Sequence, residues 1–150
     1  MMKLPRALLL MSAAACFSAP AFAALGGDAI SVESDRAAVK GVLRVTPFLE
    51  YDMHEIRTDA GTVIHEYVSP QGKVFAISWR GPGLPNLAQL LGDYSAQLAQ
   101  AVPRPHYNHH HLRVTSPNVI MESDAYLRTL SGRAWVPALL PQNFAAKDIG

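Results

Sequence analysis

Two turn signatures, Asp59-Ala60-Gly61 and Ser69-Pro70-Gln71-Gly72, interrupt an alternating stretch over 51–79 and dictate how its strands pair. The first fits a three-residue hairpin loop with Gly61 in the left-handed position, and the second places Ser, Pro and Gly where a type I turn prefers them. Thr58 then faces Thr62, Ser69 faces Lys73, and a three-stranded antiparallel meander follows with a countable register. On one face the register aligns Arg57 with Val63 and Trp79, Glu55 with His65 and Ile77, and Met53 with Tyr67 and Phe75. That face reads as core. The other carries Ile56, Ile64 and Ser78, then His54, Glu66 and Ala76, then Asp52, Val68 and Val74, a mixed set that suits partial cover.

Helical patterns flank the meander. Residues 31–40 read as a short helix, with Ser31 as cap, Glu33 and Asp35 in the first turn, Lys40 in the last and Gly41 beyond it. Residues 42–46 are β-branched and end at Pro47, which suits a strand. Over 86–102, Leu87, Leu90, Leu91, Tyr94 and Leu98 recur at helical spacing, Asn86 can cap with Gln89 three residues on, and Pro103 stops the pattern. The stripe is expected to pack on the face bearing Tyr67, Phe75 and Trp79. Further on, 112–115, 119–122, 126–130 and 133–136 resemble short strands, with Pro117-Asn118, Ser123-Asp124 and Ser131-Gly132 as turns. The expected fold is α+β: an antiparallel sheet with a three-stranded meander and one main amphipathic helix packed on one face. Gly26-Gly27-Asp28 reads as a flexible start.

Ahead of this domain lie Lys3, Arg6, an apolar run over 7–17 and Ala21-Phe22-Ala23. A basic start, an apolar core too short to span a bilayer and an Ala-x-Ala site make a secretory signal peptide over 1–23, followed by a single domain over 24–150. The alternative uses Ala13-Ala14-Ala15-Cys16 as a lipoprotein site, which anchors the chain through Cys16. Cleavage after Ala23 removes the only cysteine, and with it any disulfide or thiolate chemistry. It also removes two of the 13 basic residues, leaving 11 against 12 acidic ones, a charge of −1. Scattered charge of this kind argues against nucleic acid as a partner. No second apolar run is long enough for a transmembrane segment.

Among chemistry-bearing residues, His106, His109, His110 and His111 form the one compositional oddity. Imidazoles bind zinc, copper or nickel without thiolates, so a histidine-loop metal-binding protein is one reading. Adjacent histidines on a strand point opposite ways, and no carboxylate within the run orients the rings, so the spacing favours an exposed polar loop. The meander register puts Glu55 opposite His65 and His54 opposite Glu66, carboxylate–imidazole neighbours that suit acid/base work or plain cross-strand pairing. Trp79 and Arg80, ahead of Gly81-Pro82, suit a ligand rim. Gly-x-Ser-x-Gly, Ser-x-x-Lys, His-Glu-x-x-His and Gly-rich phosphate loops are absent from the sequence.

The segments Ala24-Leu25-Gly26-Gly27, Leu43-Arg44-Val45-Thr46-Pro47, His54-Glu55, Gly61-Thr62-Val63, Glu66-Tyr67-Val68-Ser69-Pro70, Gly72-Lys73-Val74-Phe75-Ala76, Trp79-Arg80-Gly81-Pro82, Leu90-Leu91-Gly92 and Ser131-Gly132-Arg133-Ala134 resemble a family of exported bacterial proteins catalogued as domain of unknown function 2844. The resemblance implies a Gram-negative source and a periplasmic or envelope location, and it brings no activity, cofactor or catalytic residue. The expected function is a non-catalytic binding or interaction module of the cell envelope, with a small ligand or an envelope protein as partner and Glu55, His65, Trp79 and Arg80 as contact residues. A small hydrolase built on Glu55 and His65 is the further alternative. Mass spectrometry of the exported product should find Ala24 as a free amino terminus; an acylated Cys16 would replace this reading with the lipoprotein one.

Overall fold

The computed structural model describes residues 25–38, 40–101 and 111–150, so the signal segment and His106, His109 and His110 lie outside the described residues. Both meander turns close as their sequences dictate. Gly61 takes φ +85° while Thr58 N–H donates to the Thr62 carbonyl at 2.9 Å, and Ser69 N–H donates to the Lys73 carbonyl at 2.8 Å. The strands they join are β2 (Asp52–Arg57), β3 (Val63–Val68) and β4 (Val74–Gly81), with β1 (Val42–Pro47) on the outside of β2.

The remaining strands do not form a separate set. After α1 (Val32–Ala38) and the first four strands come α2 (Leu87–Leu91), α3 (Tyr94–Gln100), β5 (His111–Thr115), β6 (Ile120–Tyr126) and β7 (Thr129–Trp135). All seven strands join one antiparallel sheet in the order β1-β2-β3-β4-β7-β6-β5. This corrects the expected α+β fold with a three-stranded meander and one main helix: the protein is mostly a seven-stranded antiparallel sheet carrying small helices. The expected strand 119–122 runs on to Tyr126 as β6, because Ser123 and Asp124 are strand residues paired with Gly132 and Ser131, and the expected strand 126–130 instead spans the turn from β6 into β7. The turn falls instead after Tyr126, where Leu127 takes φ +53°.

The expected helix over 86–102 is also broken. Asn86 accepts from Gln89 N–H as its spacing suggests, but Gly92 (φ +51°, ψ −127°) ends α2, leaving helices of 5 and 7 residues. Helices this short have no stability of their own and are held by packing. They pack on the face opposite to that of Tyr67 and Phe75. Leu90, Leu91 and Leu98 join Ile56, Ile64, Val68, Val74, Ile77 and Trp79 in the larger core. Tyr67, Phe75 and Ala76 face the other way, with Trp135, Phe144 and Ile149.

The cause is one extra residue. Val68 pairs with Val74 while Tyr67 pairs with Ala76, so Phe75 is a β-bulge in β4. Every residue of β4 beyond the bulge exchanges faces relative to strict alternation: Ile77 and Trp79 point to the helices, and Ser78 and Arg80 point away. The mixed face is therefore the more deeply buried one.

The amino-terminal segment is stitched down rather than flexible. Leu25 N–H donates to the Leu90 carbonyl (2.9 Å), Gly26 N–H to Val74 (2.7 Å) and Ala29 N–H to Gly72 (2.8 Å), and Asp28 bridges Lys73 at 2.6 Å. On the outer face the chain after β7 folds back, and Phe144 packs edge-on against Phe75 (4.9 Å) and Tyr51 (5.1 Å). Beneath α2 the Trp79 ring lies on Gly132, its partner in β7. A Cβ there would also come within 2.7 Å of the Glu122 carbonyl. Gly132→Ala is accordingly expected to cost about 1–3 kcal/mol through overpacking, and Leu91→Ala about 2–5 kcal/mol through a cavity. Denaturant midpoints read both.

Candidate functional site

The bulge gives the outer face its chemistry. Counting pairs across the sheet, Arg44, Glu55, His65, Ser78, Arg133, Glu122 and Arg113 stand in one transverse row, one residue from each strand. The neighbouring row reads Val42, Arg57, Val63, Arg80, Ser131, Asp124 and His111. On the opposite flank of the polar row, Tyr67, Ala76 and Trp135 align with Met53 and Ile120. The folded-back tail covers this apolar flank and leaves the two polar rows bordering an open groove of about 540 Å³.

Charges in the groove are neutralised locally. Glu55 accepts from Arg57 at 3.0 Å and meets His65 Nε2 at 3.2 Å; these two contacts, Arg57 first, hold its carboxyl below the usual range. Glu122 is nearly buried between two guanidiniums: Arg133 reaches it through Nε (2.8 Å) and Nη2 (2.7 Å), and Arg113 bonds its other oxygen. His111 Nδ1 lies 2.6 Å from Asp124. Arg133 and Arg113 also flank the Trp135 ring, at 5.7 and 6.0 Å. Arg80 differs from these side chains. It is exposed at the groove and is joined to no carboxylate among the described residues.

All four residues singled out from the sequence for ligand contact border this groove: Glu55, His65 and Arg80 directly, Trp79 from beneath, its indole packed in the helix-side core. His111 borders it too. Among the described residues, no group of three or more His, Cys, Asp and Glu is arranged to hold a metal ion. Ser78, across from His65, sets up a Glu55–His65–Ser78 order, yet its hydroxyl makes no hydrogen bond to the imidazole among the described residues, and nucleophile activation requires one. Sequence reasoning missed Arg57, Ser78, Glu122, Asp124, Ser131 and Arg133 as groove residues. The alternation Glu122, Asp124 and Ser131, Arg133 was the available signal, hidden by the turn-like composition around it.

A second polar cluster lies inside the helix-side core. Asp35 of α1 is fully buried and Glu66 of β3 is 1 % exposed; Gln89 of α2 donates to Asp35 Oδ1 at 2.6 Å. Burial pushes both carboxyls up, and at Glu66 the nearby Asp35 adds to it. His54, paired with Glu66, is pushed down by burial, with Asp52 opposing.

Comparison with known proteins places the chain in a family: residues 21–149 match the family described as Protein of unknown function (DUF2844), and the chain belongs to it. No curated protein and no solved structure matches it. No helix among the described residues is long and apolar enough to cross a membrane.

Removal of Glu122 strands two guanidiniums. Since Arg133 also donates to the Ala146 (2.9 Å) and Ile149 (3.2 Å) carbonyls, Glu122→Ala should loosen the tail as well as the sheet. The expected loss is about 1–3 kcal/mol, with faster amide exchange over 144–149.

Proposed function

We propose that the domain is a non-catalytic binding module of the bacterial cell envelope, and that its ligand presents an acidic group to the groove on the outer face of the sheet. The observation carrying this reading is the guanidinium of Arg80, exposed at the groove and joined to no carboxylate among the described residues, beside Glu55, Glu122 and Asp124, each of which already meets a cation. A paired charge is already satisfied and orients a ligand, whereas an unpaired arginine gains a charge-assisted, bidentate partner on meeting a carboxylate or phosphate. Ser131 lies directly across from Arg80 and Ser78 two residues along the same strand, hydroxyls suited to the polar remainder of such a ligand. The signal-like segment over 1–23 supports a periplasmic location.

The test is NMR titration with succinate and with inorganic phosphate. Saturable shifts at Arg80, Ser131 and Ser78 are expected, and Arg80→Ala should weaken them at least tenfold while leaving the thermal midpoint in place, an exposed side chain contributing little to folding. Shifts that do not saturate, or that survive Arg80→Ala, overturn the reading.

The row Glu55, His65, Ser78 supports one second reading, a small hydrolase in which substrate binding brings the Ser78 hydroxyl into hydrogen-bond reach of His65, which takes its proton as Ser78 attacks. Labelling of Ser78 by a fluorophosphonate, lost in His65→Ala, would establish it in place of the first.

A further inference from the structure

The inner face of the sheet is largely apolar where the helices pack on it. There Asp35 and Glu66, 31 residues apart in sequence, bring two carboxyl groups together in a fully buried position. We infer that Asp35 and Glu66 hold one proton between them, and that this shared proton latches α1 onto the sheet.

The hydrogen bonds among the described residues point the same way. Gln89 satisfies one oxygen of Asp35, and neither the other oxygen nor either oxygen of Glu66 receives any N–H or O–H among the described residues. An ionised carboxylate is an acceptor only, so two of them face to face have nothing to offer each other. Protonating one supplies the missing donor and removes a like-charge contact that a buried site cannot screen.

Every element packed around the pair leaves that proton in place. From β2, His54 stands opposite Glu66 with Nδ1 buried and without a partner among the described residues, and burial lowers the imidazole's pKa and so disfavours its cationic form; Asp52, further along β2, opposes that shift. From β4 comes Ile77, from β1 Val45 beside His54, and from α2 the neutral Gln89. On α1 itself Glu33 and Arg36 pair with each other at the surface. Among the described residues no arginine or lysine pairs with either carboxyl.

The direction of the pH effect follows. Both carboxyls bind their protons more tightly folded than unfolded, so the folded state carries the extra proton and stability declines as pH rises through and above the ordinary carboxylate range. Because residues 25–29 are stitched to α2 and β4 by their own hydrogen bonds, loss of the proton is expected to open α1 locally and leave the sheet standing. In acid the latch is closed; in alkali α1 lifts and uncovers the Gln89 end of α2.

Hydrogen exchange of the Val32–Ala38 amides in the full chain, measured from pH 5 to pH 9 and corrected for intrinsic rates, reads the latch. The open fraction should rise at least tenfold across that range, a tenfold change being what one unit of pKa difference confers. Glu66→Gln, which keeps the shape and carries its own N–H donors, should abolish the dependence; if it does not fold, Asp35→Asn serves the same purpose. An open fraction independent of pH in the natural chain, or the same dependence in the amide variant, overturns the proposal. So would carboxyl carbon NMR showing both side chains ionised at pH 6.

Discussion

One extra residue, Phe75, governs the whole arrangement. Backbone pairing continues past it on both sides, from Val68 with Val74 to Tyr67 with Ala76 and on to Val63 with Arg80, so the bulge costs little in hydrogen bonding. What it changes is sidedness. With it, Ile77 and Trp79 reach the helices while Ser78 and Arg80 align with His65, Val63 and, across β7, with Arg133 and Ser131. Without it, the two halves of the sheet would set apolar against polar residues on both faces, and neither the helix-side core nor the polar rows would be continuous.

The two faces handle buried charge by opposite means. On the outer face, carboxylates meet guanidiniums: Glu122 lies between Arg113 and Arg133, and its negative charge is matched where it is made. On the inner face no arginine or lysine among the described residues pairs with the carboxyls, and burial raises their proton affinity, so that proton uptake is the route to neutrality we infer. The first solution is insensitive to pH near neutrality because arginine does not titrate there. The second is sensitive by construction.

How much of this was legible in the sequence depended on the distance over which each feature is determined. The Glu55–His65 contact was readable because the loop at Gly61 fixes the β2–β3 register within a few residues. The β3–β4 register was not, since Phe75 and Ala76 are both apolar and no glycine or proline marks the bulge. Ser123-Asp124 and Ser131-Gly132 look like turns because their composition is that of turns, yet they are the outward-facing and close-packed positions of paired strands, while the true turn carries a leucine. The break between α2 and α3 rests on a single glycine inside a strong apolar pattern. The meeting of Asp35 and Glu66 is purely tertiary, and no local pattern announces it.

Trp79 and Trp135 are the chain's only tryptophans, and the bulge sets them on opposite sides of one sheet. Trp79 lies among the leucines of α2 and α3, its indole N–H without a partner among the described residues, in surroundings whose polarity changes if water enters beneath the helices. Trp135 is flanked by the two arginines that hold Glu122, so its emission answers to rearrangement of those cations. Each face thus carries its own built-in fluorophore. Single Trp→Phe substitutions would separate the two signals and turn the natural chain into a two-channel optical sensor, one channel for each side of the sheet.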